Sequence, residues 1–440
     1  MKFSGKWDFP IDILEKNGYE AYLVGGTLRD ILLSKEAKDI DIATSALPQQ
    51  IIECFNGFIT IETGKQFGTI TVVIDNQNIE ITTFRSESGY YDSRRPSNVL
   101  FENDIKKDLL RRDFTINAMA YNKNSRLIDI SKGQEDLKNK LIRAVGNPYE
   151  RFTEDALRML RCVRFATLLD FHIEQSTFDA IKELAPLVKA ISKERINIEF
   201  TKIIKSSNPS KGIRLLNDSG ILNEIIPEII PMDGFKQMNP YHDMDLLEHT
   251  LCVLENVKPT EELRLAALFH DIGKLETLEI GEDNIGHFYG HEKVSADMAY
   301  GILKRLNYPN KTIEKVNLLI KEHMIAPNAI GKKGIKRLLN LFGEEDIFDL
   351  VDLHKGDSSC TTLGHQDLFE EKVREILYYK EPFSRKDLDI NGNDLKDIGF
   401  SGKEIGIILE KLLDFVMEDP DLNTHEQLLR LAKQTPRQKH

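Results

Sequence analysis

Residues 23–45 read LVGGTLRDILLSKEAKDIDIATS, and this stretch limits the N-terminal fold more than any other part of the chain. An apolar run at 21–24 leads into Gly25 and Gly26, and residues 27–33 follow with the spacing of the first turns of a helix. The order is strand, tight turn, helix. Backbone N–H groups left open at such a turn favour an anion such as a triphosphate. KDIDIAT then alternates with period two, which puts Ile40 and Ile42 on a core face and Asp39 and Asp41 together on the other. Two carboxylates on one strand face can share two Mg2+ ions, activating a hydroxyl and neutralising a leaving pyrophosphate. Alone, a Gly-Gly pair is a turn and an Asp-x-Asp a solvated face. Their conjunction points to metal-dependent nucleotidyl transfer.

Length and composition set the frame. A chain of 440 residues with 41% hydrophobic and 30% charged residues is ordinary globular material, long enough for about three domains. The N-terminus lacks a basic, apolar, small-residue leader pattern and no apolar run approaches a membrane span, so a cytoplasmic location is expected. Cys54, Cys162, Cys252 and Cys360 are widely spaced without a C-x-x-C and are expected to be reduced packing residues. The net charge of −12 is local: residues 232–300 hold 14 acidic against 5 basic side chains. That segment is a candidate metal-binding domain, which leaves basic clusters elsewhere to meet phosphates: Arg94 and Arg95, Lys106 and Lys107, Arg111 and Arg112, the 332–337 cluster, and 433–439.

Strand patterns at 21–24, 39–43, 68–74, 79–84 and 127–129 mix with helices up to about residue 140. After Pro148 helical spacing takes over, as at Leu157, Leu160 and Val163, and continues to the end. Glu80, alternating with Ile79 and Ile81, is either a surface residue or a third carboxylate brought beside Asp39 and Asp41 by an antiparallel neighbour strand. Arg111, Arg112 and Asp113 precede an apolar segment expected to be a helix, and adjacent guanidiniums suit a triphosphate. In YERFTEDALRMLR, Glu154 and Arg158 have the i, i+4 spacing of one helix face. Asp155 offers acceptors and Arg158 donors, a pattern able to read the Watson–Crick edge of a base.

The succession GGTLRD with DID, ITTFRSESGYYDSRRPSNVLF, RRDFTINAMA, YERFTEDALRMLR and SKERINIE resembles the class II tRNA nucleotidyltransferases, the family of CCA-adding enzymes and bacterial poly(A) polymerases. The resemblance covers nearly 200 residues. It implies that Asp39 and Asp41 hold catalytic Mg2+, that Gly25, Gly26, Arg29, Arg111, Arg112 and Asp113 bind the nucleotide, and that Asp155 and Arg158 select C or A, with Glu154 orienting Arg158 and Arg161 nearby. Leu28 and Asn147 stand where the family often has Val and Asp. Residues 86–98 correspond to the flexible loop that accompanies the C-to-A switch, which argues against addition of CC alone. Addition of only the terminal A, or poly(A) synthesis, remains an alternative.

His249, His270, Asp271, His291, His323 and Asp357 follow one another in the order of an HD-type phosphohydrolase site. His249, His270, Asp271 and Asp357 form the first metal set, His291 and His323 would serve a second ion, His354 is a spare, and Lys274 could hold a substrate phosphate. The metal is not specified. HD-bearing family members imply phosphatase or 2′,3′-cyclic phosphodiesterase activity; a metal site that only rigidifies the body is the other reading. In the tail, residues 402–406 open a helix whose N-terminus could grip RNA phosphate.

The expected architecture is an α+β nucleotidyltransferase head, polymerase beta-like with a mixed sheet, over residues 1–140. A helical neck and body (141–232), an HD domain (233–380) and a helical tRNA-binding tail (381–440) follow. The expected partners are tRNA, CTP and ATP, with no membrane. Two rival classes are an RNA-binding HD hydrolase with an inactive head, which Asp39 and Asp41 disfavour, and an HD-type nucleotide-signalling enzyme, which the complete template segment disfavours.

Overall fold

The computed structural model describes residues 5–37, 39–90, 96–240, 243–282, 284–326, 329–362 and 368–435, with only the backbone described at 87–90 and 96–99. The chain forms two compact units: residues up to 230 with 305–308, and the remainder.

The first unit is built on strands β1 (Ala21–Val24), β2 (Ile40–Thr44), β3 (Ile59–Ile61), β4 (Thr69–Ile74) and β5 (Gln77–Thr83). A hairpin of β6 (Arg85–Tyr90) and β7 (Pro96–Phe101) stands apart, and β8 (Met119–Asn122) and β9 (Arg126–Asp129) return to the main sheet, whose order is β3-β4-β5-β2-β1-β8-β9. The apolar side of β1, β2 and β8 packs with Phe84, Ile105 and Leu109 into one core. Each such fully buried Phe or Leu contributes about 1.5–3 kcal/mol over its exposed state. The remainder of the unit is mainly helical, including Pro148–Glu154, Leu157–Leu169 and Lys193–Ile204.

Four expectations change here. β5 lies parallel to β2, not antiparallel, and pairs Glu80 with Asp41 in register. The segment after Asp113 forms a short 3-10 turn (Thr115–Asn117) and then β8, not a helix. β8 runs between β1 and β9 and is buried throughout, so it lacks the alternation that would mark it as a strand. The expected loop at 86–98 is largely the β6–β7 hairpin, with 91–95 outside the described residues. Finally, the helix through YERFTEDALRMLR breaks at Asp155, whose backbone is extended (φ −142°, ψ 102°).

The second unit is mainly helical, with Leu246–Asn256, Glu261–Phe269, His291–Arg305, Asn310–Lys321 and the long Lys332–Ser359 segment, which is interrupted at Gly343. Tail residues Leu395, Phe400, Leu412, Leu413, Val416 and Leu428 form their own buried cluster. Lys336, buried, sits 2.8 Å from Glu381 and donates to the Met417 carbonyl at 3.2 Å. Lys333 pairs with Asp414 and Glu418, and Arg337 with Asp414. Each of these basic side chains thus has an acidic partner, and the buried Lys336 ties its helix to the tail. Arg94, Arg95 and Lys439 lie outside the described residues.

The expectation of four reduced cysteines is also overturned: Cys252 and Cys360 are bonded (S–S 2.11 Å). Their separation of 108 residues hid the pairing. The helix Leu246–Asn256 packs against the end of Lys332–Ser359, where a Cβ added at Gly356 would meet Val257 at 2.8 Å. Cys54 and Cys162 are free.

Candidate functional site

A cavity of about 1010 Å3 in the first unit is lined by Gly25, Gly26, Arg29, Asp39, Asp41, Glu80, Arg111, Arg112, Asp113, Asp155, Arg158 and Arg161, among others. Sequence reading had named all of these as site candidates, and the fold gathers them around one space. Gly25 adopts φ +65°, and a Cβ there would lie 3.0 Å from Asp41 Oδ2 and 3.3 Å from Arg112 Nη1. A side chain there would be strained by the backbone conformation and crowded against these two groups. The buried Thr27 hydroxyl donates to the Asp39 carbonyl at 2.9 Å and accepts the Asp41 N–H at 2.9 Å, which ties the glycine turn to the carboxylate strand.

Parallel pairing puts Asp41 and Glu80 on one face. Burial and the Glu80 carboxylate push the Asp41 carboxyl up to about 6, with Asp39 adding to this against the opposing pull of Arg112 and Arg29. Three crowded carboxyls of this kind are the donor set that a hard divalent cation satisfies.

The cationic wall is braced from behind. Arg111 and Arg112 both pair with buried Asp108, at 2.7 and 3.0 Å. Burial opposes the charge on Asp108, but the two guanidiniums outweigh it and hold the carboxyl below its usual range. Asp113 binds Arg161 at 2.6 Å. Burial again works against the charge, and Arg161 brings the carboxyl down to about 2. Arg29 donates to Asn117 Oδ1 at 2.9 Å. The guanidiniums of Arg29, Arg161 and Arg164 lie 5.2, 5.4 and 4.4 Å from the centre of the Phe165 ring, within cation–π range.

Glu154 survives as a partner of Arg158 at 2.7 Å despite the helix break, and it also binds Arg151 at 2.7 Å. Arg158 further donates to the carbonyls of Arg151 and Arg111, at 3.1 and 3.3 Å. Its plane is fixed from three sides. Asp155 caps the following helix by accepting the Leu157 N–H at 3.1 Å, and its other oxygen accepts from Arg195 at 3.0 Å. Sequence reading missed Arg195, Arg164 and Lys202, which also line the cavity. Arg195 stood in the quoted SKERINIE segment, but nothing in its spacing tied it to Asp155.

A second centre lies in the second unit. The Nδ1 atoms of His270, His291 and His323 lie 2.9, 2.7 and 2.6 Å from the carbonyls of Ala267, Phe288 and Ile320. A carbonyl only accepts, so each Nδ1 carries a proton and each Nε2 faces the centre, where a neutral ring presents its lone pair to a metal. Those three buried Nε2 atoms have no hydrogen-bond partner. Asp271 lies among them, with Oδ2 3.5 Å from His249 and 3.2 Å from His270, and Oδ1 3.2 Å from His291 and 3.8 Å from His323. Asp357 Oδ1 is 3.0 Å from His249. Two potential ligand groups therefore share Asp271: one with His249 and His270, the other with His291 and His323. Burial and His270 push His323 down to about 4, which leaves its ring in the neutral form that binds metal. Lys274 is paired to Asp271 at 2.7 Å and to Gln237 at 2.9 Å, and His354 packs on Phe369.

Comparison with known proteins follows the same division. The model of the poly A polymerase head domain matches residues 21–143, that of the probable RNA and SrmB-binding site of polymerase A matches 170–232, and that of the HD domain matches 246–387. A CCA-adding enzyme of Ligilactobacillus salivarius is 34% identical over 429 residues, which are 96% of this chain and 95% of that protein. The chain belongs to the CCA-adding enzyme family. Members of this family are tRNA nucleotidyltransferases. The CCA-adding enzyme of Pediococcus pentosaceus is 47% identical over 243 residues, 55% of this chain and 59% of that protein. In such higher-identity matches the chain spans about half the length of its relative. The structure of the Bacillus stearothermophilus CCA-adding enzyme in complex with CTP superposes with a TM-score of 0.75 and 27% identity, covering 97% of this chain and 96% of that one. The polymerase head model spans the sheet that carries the carboxylates, and the HD model spans the histidine centre.

Proposed function

We propose that this chain adds C, C and A to the 3′ end of tRNA from CTP and ATP, releasing pyrophosphate at each step. The observation that carries the reading is a single cavity holding both a crowded carboxylate face and a braced Asp155–Arg158 pair. Asp39 and Asp41, with Glu80 beside them, would hold Mg2+, which would lower the pKa of the attacking 3′-hydroxyl and neutralise the departing pyrophosphate. The remaining work falls to the chain. Gly25 and Gly26 bring backbone N–H groups close to the triphosphate, and Arg29, Arg111 and Arg112 supply the positive wall. Asp155 offers acceptors and Arg158 donors to the base edge, and their rigid bracing makes the selection geometric. Phosphoryl transfer of this kind needs mainly positioning and charge neutralisation, so no protein nucleophile is required.

We assign the head to residues 1–140, the neck and body to 141–232, the HD domain to 233–380 and a tRNA-binding tail to 381–440. The inward-facing histidines around Asp271 support a second activity, a metal-dependent phosphohydrolase acting as a phosphatase or 2′,3′-cyclic phosphodiesterase.

Purified enzyme given tRNAs ending before CCA, after C and after CC, with each nucleotide in turn, tests the first reading. CTP alone should fill the first two to CC, ATP alone should extend only the last, and the two nucleotides together should complete all three. Extension of only the last would make the chain an A-adding enzyme, and repeated A addition a poly(A) polymerase. Asp39→Ala with Asp41→Ala should abolish incorporation and spare cyclic phosphate hydrolysis, while Asp271→Ala should do the reverse.

A further inference from the structure

The Cys252–Cys360 bond joins the two helices that carry His249 and Asp357. His249 lies one turn before Cys252, and Asp357 one turn before Cys360. The link is more direct than sequence spacing alone, because the carbonyl of Cys360 itself lies 3.3 Å from His249 Nδ1. We propose that this disulfide is a redox latch on the histidine–aspartate centre: oxidised, it holds the centre in its ligand geometry, and reduced, it loosens it.

Other contacts hold these groups as well as the disulfide. Cys360 is the C-terminal cap of its helix, and its N–H is bonded within the last turn to the Asp357 carbonyl at 3.0 Å. Terminal turns fray readily when tertiary ties are lost. Gly356, directly before Asp357, is packed against Val253 and Val257 and keeps the body of the helix in place, so the loosening expected on reduction is confined to the turn that follows it. That turn supplies two things to the centre: the Asp357 carboxylate, 3.0 Å from His249 Nε2, and the carbonyl that sets the His249 tautomer. Both would be lost together. Asn256 donates to the Cys252 carbonyl at 2.9 Å, with its Nδ2 3.6 Å from each sulfur, and holds the bridge from the side.

Cys252 is only partly buried whereas Cys360 is buried, so a cellular dithiol would attack the Cys252 sulfur. The S–S bond breaks, Cys360 leaves as a thiolate and takes up a proton, and the second thiol of the reductant displaces Cys252 from the mixed disulfide. Two electrons pass to the protein, which ends with two thiols, and the reductant ends as a disulfide.

The inference rests on reading this centre as a divalent metal site, and the test separates the two. Full-length protein carrying Asp39→Ala and Asp41→Ala, which silence the head, is prepared oxidised with oxidised glutathione and reduced with a phosphine that is then removed. Thiol alkylation and intact mass should count two free thiols in the first and four in the second. Co2+ titration followed by absorbance and calorimetry should give a dissociation constant about 10–100-fold weaker in the reduced form, the range for lost support of a ligand. Adding Cys252→Ser and Cys360→Ser should reproduce the reduced value and abolish the response to oxidant; the reduced parent protein supplies the comparison should that variant fold poorly. Four thiols after oxidation, or equal Co2+ affinity in both states, would overturn the latch. Absence of Co2+ binding in both states would overturn the metal reading and the latch with it. A redox-dependent affinity without hydrolysis of 2′,3′-cyclic AMP would keep the latch and remove only the hydrolase.

Discussion

The Thr27 hydroxyl stands between the two halves of the head site, accepting the Asp41 N–H at 2.9 Å while donating to the carbonyl one residue before Ile40. Thr27→Val keeps the shape and removes both bonds, leaving a buried N–H unsatisfied at a cost of about 1–3 kcal/mol. Nucleotide incorporation should fall while Thr27→Ser stays near wild type. Urea unfolding and single-turnover incorporation read the two effects, and an unaffected Thr27→Val enzyme would remove the proposed clamp.

Arg195 holds Asp155 at 3.0 Å with both side chains mostly shielded. Arg195→Met should let the carboxylate swing and loosen the choice between C and A more than it slows the preferred addition. The check is the ratio of kcat/KM for CTP and ATP on a tRNA ending before CCA. A uniform loss for both nucleotides would mean that Arg195 serves only stability.

Asp113 gives a pH signature. Its carboxyl is held down to about 2 in the fold, below the unfolded value of about 3.9. A depressed carboxyl contributes stability that is complete above the unfolded value and is lost as pH falls through the folded one. Between about pH 4 and pH 2 the protein should lose on the order of 2 kcal/mol from this group. Asp113→Asn should flatten that part of a stability–pH curve and lower stability at neutral pH, as read by urea unfolding at stepped pH.

Metal should stabilise the second unit if the inward Nε2 atoms serve as proposed. Adding Mn2+ at a hundredfold excess over its dissociation constant should raise stability by about 2.7 kcal/mol, and a chelator should reverse it. His291→Ala should remove much of that gain. A melting temperature indifferent to Mn2+ and chelator would count against the centre.

The head site was legible because its chemistry sits in short local patterns. Strand alternation exposed Asp39 and Asp41, and the glycine pair marked the turn before Thr27. What failed to show was long-range pairing: nothing local reveals that β5 runs parallel to β2, that Arg195 turns toward Asp155, or that Cys252 meets Cys360. β8 was misread because a strand buried on both faces loses the alternation that distinguishes it from a helix. The acidic partners of the basic residues from Lys332 to Arg337, namely Glu381, Asp414 and Glu418, lie far along the chain, so local reading does not reveal these pairs.

The break at Asp155 has a consequence for how such chains can vary in length. Because the extended residue joins Glu154 to the helix beginning at Leu157, one added residue there would lengthen the joint by up to about 3.3 Å and change the direction in which that helix leaves it. Arg158 and Arg161 would swing away from Glu154 and Asp113 together, with every functional side chain still present. The joint therefore acts as a gauge, and its residue count, more than the identity of Ala156 within it, is what nucleotide choice should tolerate least.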